Sequence, residues 1–296
     1  MCKSSPADII GGAELFYFAG RFLLAFFPER RTIGVSKIQE FFMENKPARL
    51  HGIDALRGFT VLSMVVYHFL YDVNIIYGQN PDWYRQPRVF FWQQCICWSF
   101  ILIYGFVWPW GKGKSLRRGL TVNFWGLVIT AVTCLVTPTE AIWFGVLNFL
   151  GCAMLLLIPL DKPLRRLNPW LGLGLCFLLF LLFRHVDSGW LALGPFRLML
   201  PTWLYSTRLL TPLGFPYPGF RSSDYFPLLP WFFLYLCGYF LGGVFAAHPR
   251  WRRPLTRSLP VLDAIGRKAL PIYLLHQPLC MPVSYTHLTL PTTCQV

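Results

Sequence analysis

The sequence predicts an all-α, polytopic transmembrane helical bundle of about seven spans, with its N-terminus inside. Two observations carry this reading. The first is a shortage of charge: 14% of residues are charged, 55% are hydrophobic, and mean hydropathy is +0.46. A soluble domain carries about 25% charged residues, so this chain has too few to cover a globular surface. The apolar residues also fall in blocks of about 20, enough to cross a hydrocarbon core of ~30 Å as helices. A barrel would alternate every second residue. Helices also satisfy every backbone group internally where lipid offers no water.

The second observation is the placement of the bases. The predicted spans are 56–77, 89–110, 119–137, 141–160, 170–184, 226–247 and 268–282. Alternate connections are rich in Lys and Arg. Lys46, Arg49 and Arg57 precede or open the first span; Lys112, Lys114, Arg117 and Arg118 follow the second. Lys162, Arg165 and Arg166 follow the fourth, and Arg250, Arg252, Arg253, Arg257, Arg267 and Lys268 follow the sixth. The intervening connections are poorer in bases, which places the basic ones on the cytoplasmic side. The net charge of +14 therefore reflects contact with anionic lipid headgroups. It does not indicate a nucleic-acid partner, which would need the bases gathered on one soluble face.

Each span is justified by its apolar run, and two need comment. The fifth holds about 15 residues and must extend, tilt or thin the bilayer. The connection after it, about 185–225, is rich in Pro, Gly and aromatics, among them Trp190, Trp203, Tyr205 and Tyr217. It is too long for a turn. It reads either as a lid or re-entrant element over the outer face, or as an interfacial aromatic belt. The cysteines inside apolar blocks form no C-x-x-C pair and read as small buried hydrophobes. No metal site is predicted.

Ionisable residues inside spans are costly and mark candidate sites. Arg57 stands at the inner mouth of the first span beside Asp54. His68 lies eleven residues on, ~16 Å along a helix and so near mid-membrane. Asp72 is four residues beyond His68 and shares its face. A carboxylate beside an imidazole selects its tautomer and stabilises the imidazolium, as a general base requires. The same pair would serve as a proton relay in a transporter, or His68 would simply hydrogen-bond a neighbouring helix. Gln93, Gln94, Ser99, Asn148, His276 and Gln277 are further polar groups in or near spans. Singly they read as helix-packing groups; together they would line a polar cavity facing His68. Paired ligation of a haem by His68 and His276 is disfavoured, since the usual bis-histidine helix pair is missing. No P-loop, G-x-S-x-G, H-E-x-x-H or dinucleotide fingerprint is present.

Arg57 and His68 bracket ten residues in the first span, as in the signature of transmembrane acyltransferases. The chain resembles bacterial membrane proteins grouped with the catalytic domain of heparan-alpha-glucosaminide N-acetyltransferase. The resemblance rests on Ile53-Asp-Ala-Leu-Arg-Gly58, Lys114-Ser-Leu-Arg-Arg-Gly119, Val128-Ile-Thr-Ala-Val-Thr133, Phe144-Gly-Val-Leu-Asn148 and Tyr273-Leu-Leu-His-Gln-Pro278, in that order over about 49–282. It implies an integral membrane acyltransferase of the bacterial inner membrane. Such an enzyme moves an acyl group, usually acetyl, from cytoplasmic acetyl-CoA to an extracytoplasmic glycan or glycoconjugate. On that reading His68 is the base or acyl carrier and Asp72 orients it. Arg57, Lys114, Arg117 and Arg118 hold the CoA phosphates, and Asn148 and His276 position the acyl carbonyl or pantetheine arm. The rival is a proton-coupled transporter or flippase of a polar or lipid-linked solute, although the two halves of the chain show no repeat. A non-catalytic scaffold is the third reading.

Both ends read as foreign to this domain. Residues 1–42 read as a spurious or peripheral extension before a more natural start at Met43, and 43–282 as the acyltransferase-like domain. Val283 to Leu288 resembles a translated sequencing adapter, so 283–296 is set aside, with the last helix expected to stop short near 282.

Overall fold

The computed structural model describes residues 50–111 and 113–289, the side chains of 281–289 excepted. The reading of residues 1–42, and that of 290–296, lie outside the described residues. The chain is an all-α polytopic membrane protein. Its helices are α1 (His51–Tyr71), α2 (Pro87–Phe106), α3 (Ser115–Val136), α4 (Val146–Leu164) and α5 (Pro169–Phe183), then α6 (Leu228–Ala247), α7 (Pro249–Arg252), α8 (Pro260–Arg267) and α9 (Ala269–Thr289). Among the described residues, six apolar segments are long enough to cross a bilayer: His51–Ile76, Pro87–Trp110, Ser115–Val136, Val146–Leu164, Pro169–Ser188 and Leu228–Ala247. These are the first six expected spans, with ends moved by a few residues. The short fifth span gains length because a 3-10 turn, Val186–Ser188, continues α5. The seventh expected block is α9, which is not among those six. It runs to Thr289 instead of stopping near 282. Pro and Thr residues there are poor helix formers in water, but a helix satisfies its own backbone wherever water is scarce.

The chain divides into two compact units. Among the described residues, one contains 50–100 and 255–289, and the other contains 101–254. In the first unit α1 is held against α8 at backbone distance. A Cβ on Gly58 would stand 2.1 Å from the Leu262 carbonyl oxygen, and one on Gly266 would stand 1.8 Å from that of Asp54. Only glycine permits this approach, which in membranes replaces the hydrophobic drive that lipid removes. Val61, Met64, Tyr67, Val89, Ile96 and Ala269 form an apolar core beside this contact. Trp92 Nε1 donates to Ser63 Oγ at 2.7 Å and ties α2 to α1.

The second unit uses the same device between α2 and α6. Gly238 and Gly242 lie four apart on α6, and Cβ atoms there would meet the carbonyls of Leu102 and Phe106 at 2.3 and 2.1 Å. Asp161 on α4 then gathers three donors. Its Oδ1 accepts from Trp108 Nε1 at 2.9 Å and from Tyr239 OH at 3.0 Å, and Arg165 closes over it. Helix α5 starts at a regular cap, with Asn168 Oδ1 accepting the Trp170 N–H at 2.9 Å and Pro169 in the first turn.

The long connection contains a short pair of strands and, after them, two 3-10 turns. Trp190–Leu193 and Phe196–Met199 pair as an antiparallel hairpin, the only strands among the described residues. The two-residue loop Gly194-Pro195 closes it, with Gly194 at φ 60°, a conformation open to glycine. Trp190 packs against the His185 ring, 4.2 Å away and parallel, and the Arg197 guanidinium lies over it at 4.7 Å. Phe196, Met199 and Trp203 are exposed, as suits a segment at the headgroup level.

The end of this connection is stitched to the α3–α4 loop. Trp143 N–H donates to Ser222 Oγ, Phe226 N–H to the Phe144 carbonyl, and Val146 N–H to Asp224 Oδ2, at 2.9, 3.0 and 3.1 Å. Asp224 thus caps α4 from a distance in sequence. Burial pushes its pKa up to about 6, opposed by the Val146 N–H. A carboxyl with a raised folded-state pKa binds its proton more tightly when folded. Its contribution favours the fold below about pH 4 and is lost as pH rises through about 6. Asp224→Asn keeps an oxygen for Val146 and removes the titration. The melting midpoint in detergent should fall over that interval in the wild type and change less in Asp224→Asn. Equal slopes in the two proteins would place the titration elsewhere.

Candidate functional site

The polar residues of the first unit gather where α1 and α9 meet. His68, on the last turns of α1, presents its ring to His276 of α9, centroids 4.8 Å apart and planes inclined by 58°. One turn further on, Asp72 is fully buried, and its Oδ1 accepts from Gln277 Nε2 at 3.0 Å. His68 and Asp72 therefore do share one helix face, as their spacing requires. The hydrogen bond described for Asp72 goes to Gln277 on α9, and none is described between Asp72 and His68. The two adjacent residues of α9 thus meet the two polar residues of α1, one pair as tilted rings and one as a hydrogen bond.

Local backbone geometry assists. At Asp72 the α-helix widens into a π turn, Asp72–Ile76, and Tyr77 N–H bonds the Asp72 carbonyl at 2.9 Å. Such wide turns recur at functional sites because they redirect side chains out of the regular stripe. Tyr67 lies beside the pair, its ring edge-on to His68 at 5.8 Å and packed on Trp83 and Trp92. Four buried polar atoms in this region have no hydrogen-bond partner among the described residues: Tyr67 OH, Asp72 Oδ2, His276 Nε2 and Gln277 Oε1. Buried polar groups are nearly always satisfied. A concentration of unsatisfied ones along two helices is the mark of a place that receives a polar molecule or water.

At the start of α1, Arg57 Nη1 donates to Asp54 Oδ1 at 2.9 Å, which holds the guanidinium along the helix. Beside it lies a cluster that sequence reasoning missed. Buried Asp263 on α8 accepts from Ser258 Oγ at 2.6 Å, and its Oδ2 stands 3.0 Å from His51 Nδ1. Ser258, and after it His51, hold the Asp263 carboxyl below the usual range. His51 and Asp263 are 212 positions apart, which left no sequence signal for this pair.

The remaining candidates belong to the second unit. Lys114, Arg117 and Arg118 are exposed at the N-terminal end of α3, and Lys114 is its cap residue with no side-chain cap bond. Cations are disfavoured at a helix N-terminus, where unpaired N–H groups already attract anions. Three of them there make a local field that an anion would relieve. Asn148 is buried, and its Nδ2 donates to Asn123 Oδ1 at 3.3 Å; Asn123 in turn donates to Cys152 Sγ at 3.2 Å. Asn148 thus joins α3 to α4, and a packing role accounts for it. Gln94 likewise accepts from Trp98 of its own helix at 3.2 Å. No group of three or more His, Cys, Asp or Glu side chains is placed to hold a metal among the described residues.

Comparison with known families decides the wider assignment. The family model described as heparan-alpha-glucosaminide N-acetyltransferase, catalytic, matches residues 49–278. The chain belongs to this family. The match covers α1 through the first turns of α9 and therefore contains the four residues His68, Asp72, His276 and Gln277. No curated protein and no solved structure matches the chain. Membership in the heparan-alpha-glucosaminide N-acetyltransferase catalytic family points to a membrane acetyltransferase-like function.

Proposed function

We propose that this protein is an integral membrane acyltransferase of a bacterial inner membrane. It takes an acetyl group from cytoplasmic acetyl-CoA and delivers it to a hydroxyl or amine of an extracytoplasmic glycan or glycoconjugate. The observation that carries the reading is the contact of His68 with His276, flanked by buried Asp72, inside the segment matched by an acetyltransferase catalytic family. Two imidazoles in an apolar setting are expensive to keep unless they act.

The chemistry asks for a base and for a route from one side to the other. An imidazole takes the proton of the acceptor as its oxygen or nitrogen attacks the thioester carbonyl carbon. The C–S bond breaks, and the CoA thiolate leaves and recovers a proton. His68 serves as that base, or first accepts the acyl group on its own nitrogen and then yields it to the acceptor. Arg57 and the exposed Lys114, Arg117 and Arg118 supply cations suited to the phosphates of CoA on the cytoplasmic side.

The test is release of CoA thiol by the purified protein in detergent, with acetyl-CoA and with glucosamine or methyl glucoside as acceptors. Acceptor-dependent release supports the reading. Movement of solute with no acyl-CoA consumed would favour the proton-coupled transporter or flippase, with His68 and Asp72 as its relay.

A further inference from the structure

His276 is not a duplicate of His68. Its Nδ1 is within hydrogen-bonding distance of the Tyr273 carbonyl oxygen in the preceding turn of α9. A carbonyl oxygen only accepts, so Nδ1 carries the hydrogen. In the neutral ring the lone pair is then at Nε2, the buried atom with no partner among the described residues. The backbone of α9 fixes this tautomer.

Of the other open atoms, Tyr67 OH can donate or accept, and the remaining two only accept. Gln277 spends its amide N–H on Asp72 Oδ1, which leaves Gln277 Oε1 and Asp72 Oδ2 as acceptors without partners among the described residues. Three acceptors at the junction of two helices suit a molecule that brings O–H or N–H donors. They repel a phosphate or a carboxylate. This end of the site is therefore built for the nucleophilic acceptor and not for the CoA thioester.

From this geometry we infer that His276 Nε2 is the base that takes the acceptor's proton, while His68 attends to the acyl group and Asp72 and Gln277 bind the acceptor's other donors. The inference rests on the acyltransferase reading. The step balances: the acceptor O–H or N–H bond breaks to Nε2 as the new bond to the acyl carbon forms. The proton then leaves with the departing CoA thiolate, or passes to His68 if the acyl group was held there.

The experiment uses acetyl-CoA with two kinds of acceptor, the sugar of the preceding test and hydroxylamine. Hydroxylamine attacks thioesters without needing a base. His276→Gln is expected to lower transfer to the sugar by about 100-fold or more, and transfer to hydroxylamine by less than about fivefold. Asp72→Asn keeps an oxygen for Gln277 and removes one acceptor. It should raise KM for the sugar while changing kcat less. Equal losses toward both acceptors in His276→Gln would mark a packing residue and overturn the assignment, as would sugar transfer left unchanged. If His276→Gln does not fold, an unchanged KM for the sugar in Asp72→Asn overturns it. A wild type that releases no CoA with any acceptor would remove the acyltransferase reading, and this role with it.

Discussion

His68→Ala is expected to lower acetyl transfer by about 10²- to 10⁴-fold, the span that a positioned group acting on the transferred proton or acyl group supplies. The loss should fall on kcat, because the ring lies among buried groups. The physical ground is the company His68 keeps. Its ring meets the ring of His276 at 4.8 Å, and Tyr67 stands edge-on at 5.8 Å. Removing the imidazole leaves a space without changing the Trp92–Ser63 bond or the glycine contact that hold α1 in place. The variant should therefore stay monodisperse in detergent with a similar melting midpoint. Kinetics of CoA release beside size-exclusion profiles would check both halves. A loss of activity that tracks a loss of folded protein would return His68 to a packing role.

The second large effect is structural. Gly266→Val is expected to prevent α8 from docking on α1. The new Cβ would stand 1.8 Å from the Asp54 carbonyl oxygen, where the obstacle is backbone and cannot rotate away. Overpacking costs about 1–3 kcal/mol when side chains can adjust, and more is expected here because two helix backbones must part. Asp54 lies between this contact and Arg57, so the Arg57–Asp54 pair should loosen as well. Gly174→Ala is the natural control. A Cβ there meets nothing within 4 Å, and in a helix alanine gains up to about 1 kcal/mol over glycine. Gly266→Val should yield aggregated or low-melting protein, and Gly174→Ala protein at least as stable as wild type. Equal behaviour of the two would mean that the α1–α8 approach is not needed for folding.

Much of the fold is legible in the sequence because hydropathy and length decide it. Six apolar blocks become six spans with small changes at their ends. The face shared by His68 and Asp72 follows from helical period alone. What lies on that face does not. Gln277 meets Asp72 across 205 positions, and no periodicity encodes which residues of α1 and α9 face each other. The tautomer of His276 depends on a carbonyl one turn away, which is local in sequence but visible only once α9 is known to be helical. The hairpin after α5 is hidden for another reason. Its strands, Trp-Leu-Ala-Leu and Phe-Arg-Leu-Met, carry little polar alternation, the signal by which a half-buried strand is read. The persistence of α9 to Thr289 is likewise invisible to propensity, since Pro and Thr argue against helix on intrinsic preference. Asn148 is a further case. Its bond to Asn123 on the neighbouring helix is plain in the structure, but its place in a matching motif carries no sign of that partner.

The most direct measurement is transfer across a membrane. Protein would be reconstituted into vesicles loaded with glucosamine or methyl glucoside, and radiolabelled acetyl-CoA added outside, beside vesicles carrying His68→Ala. The predicted result is label covalently bound to the enclosed sugar, appearing with wild type and absent with the folded His68→Ala variant. Label that accumulates equally with both proteins, or sugar that crosses unmodified without acetyl-CoA, would contradict the account.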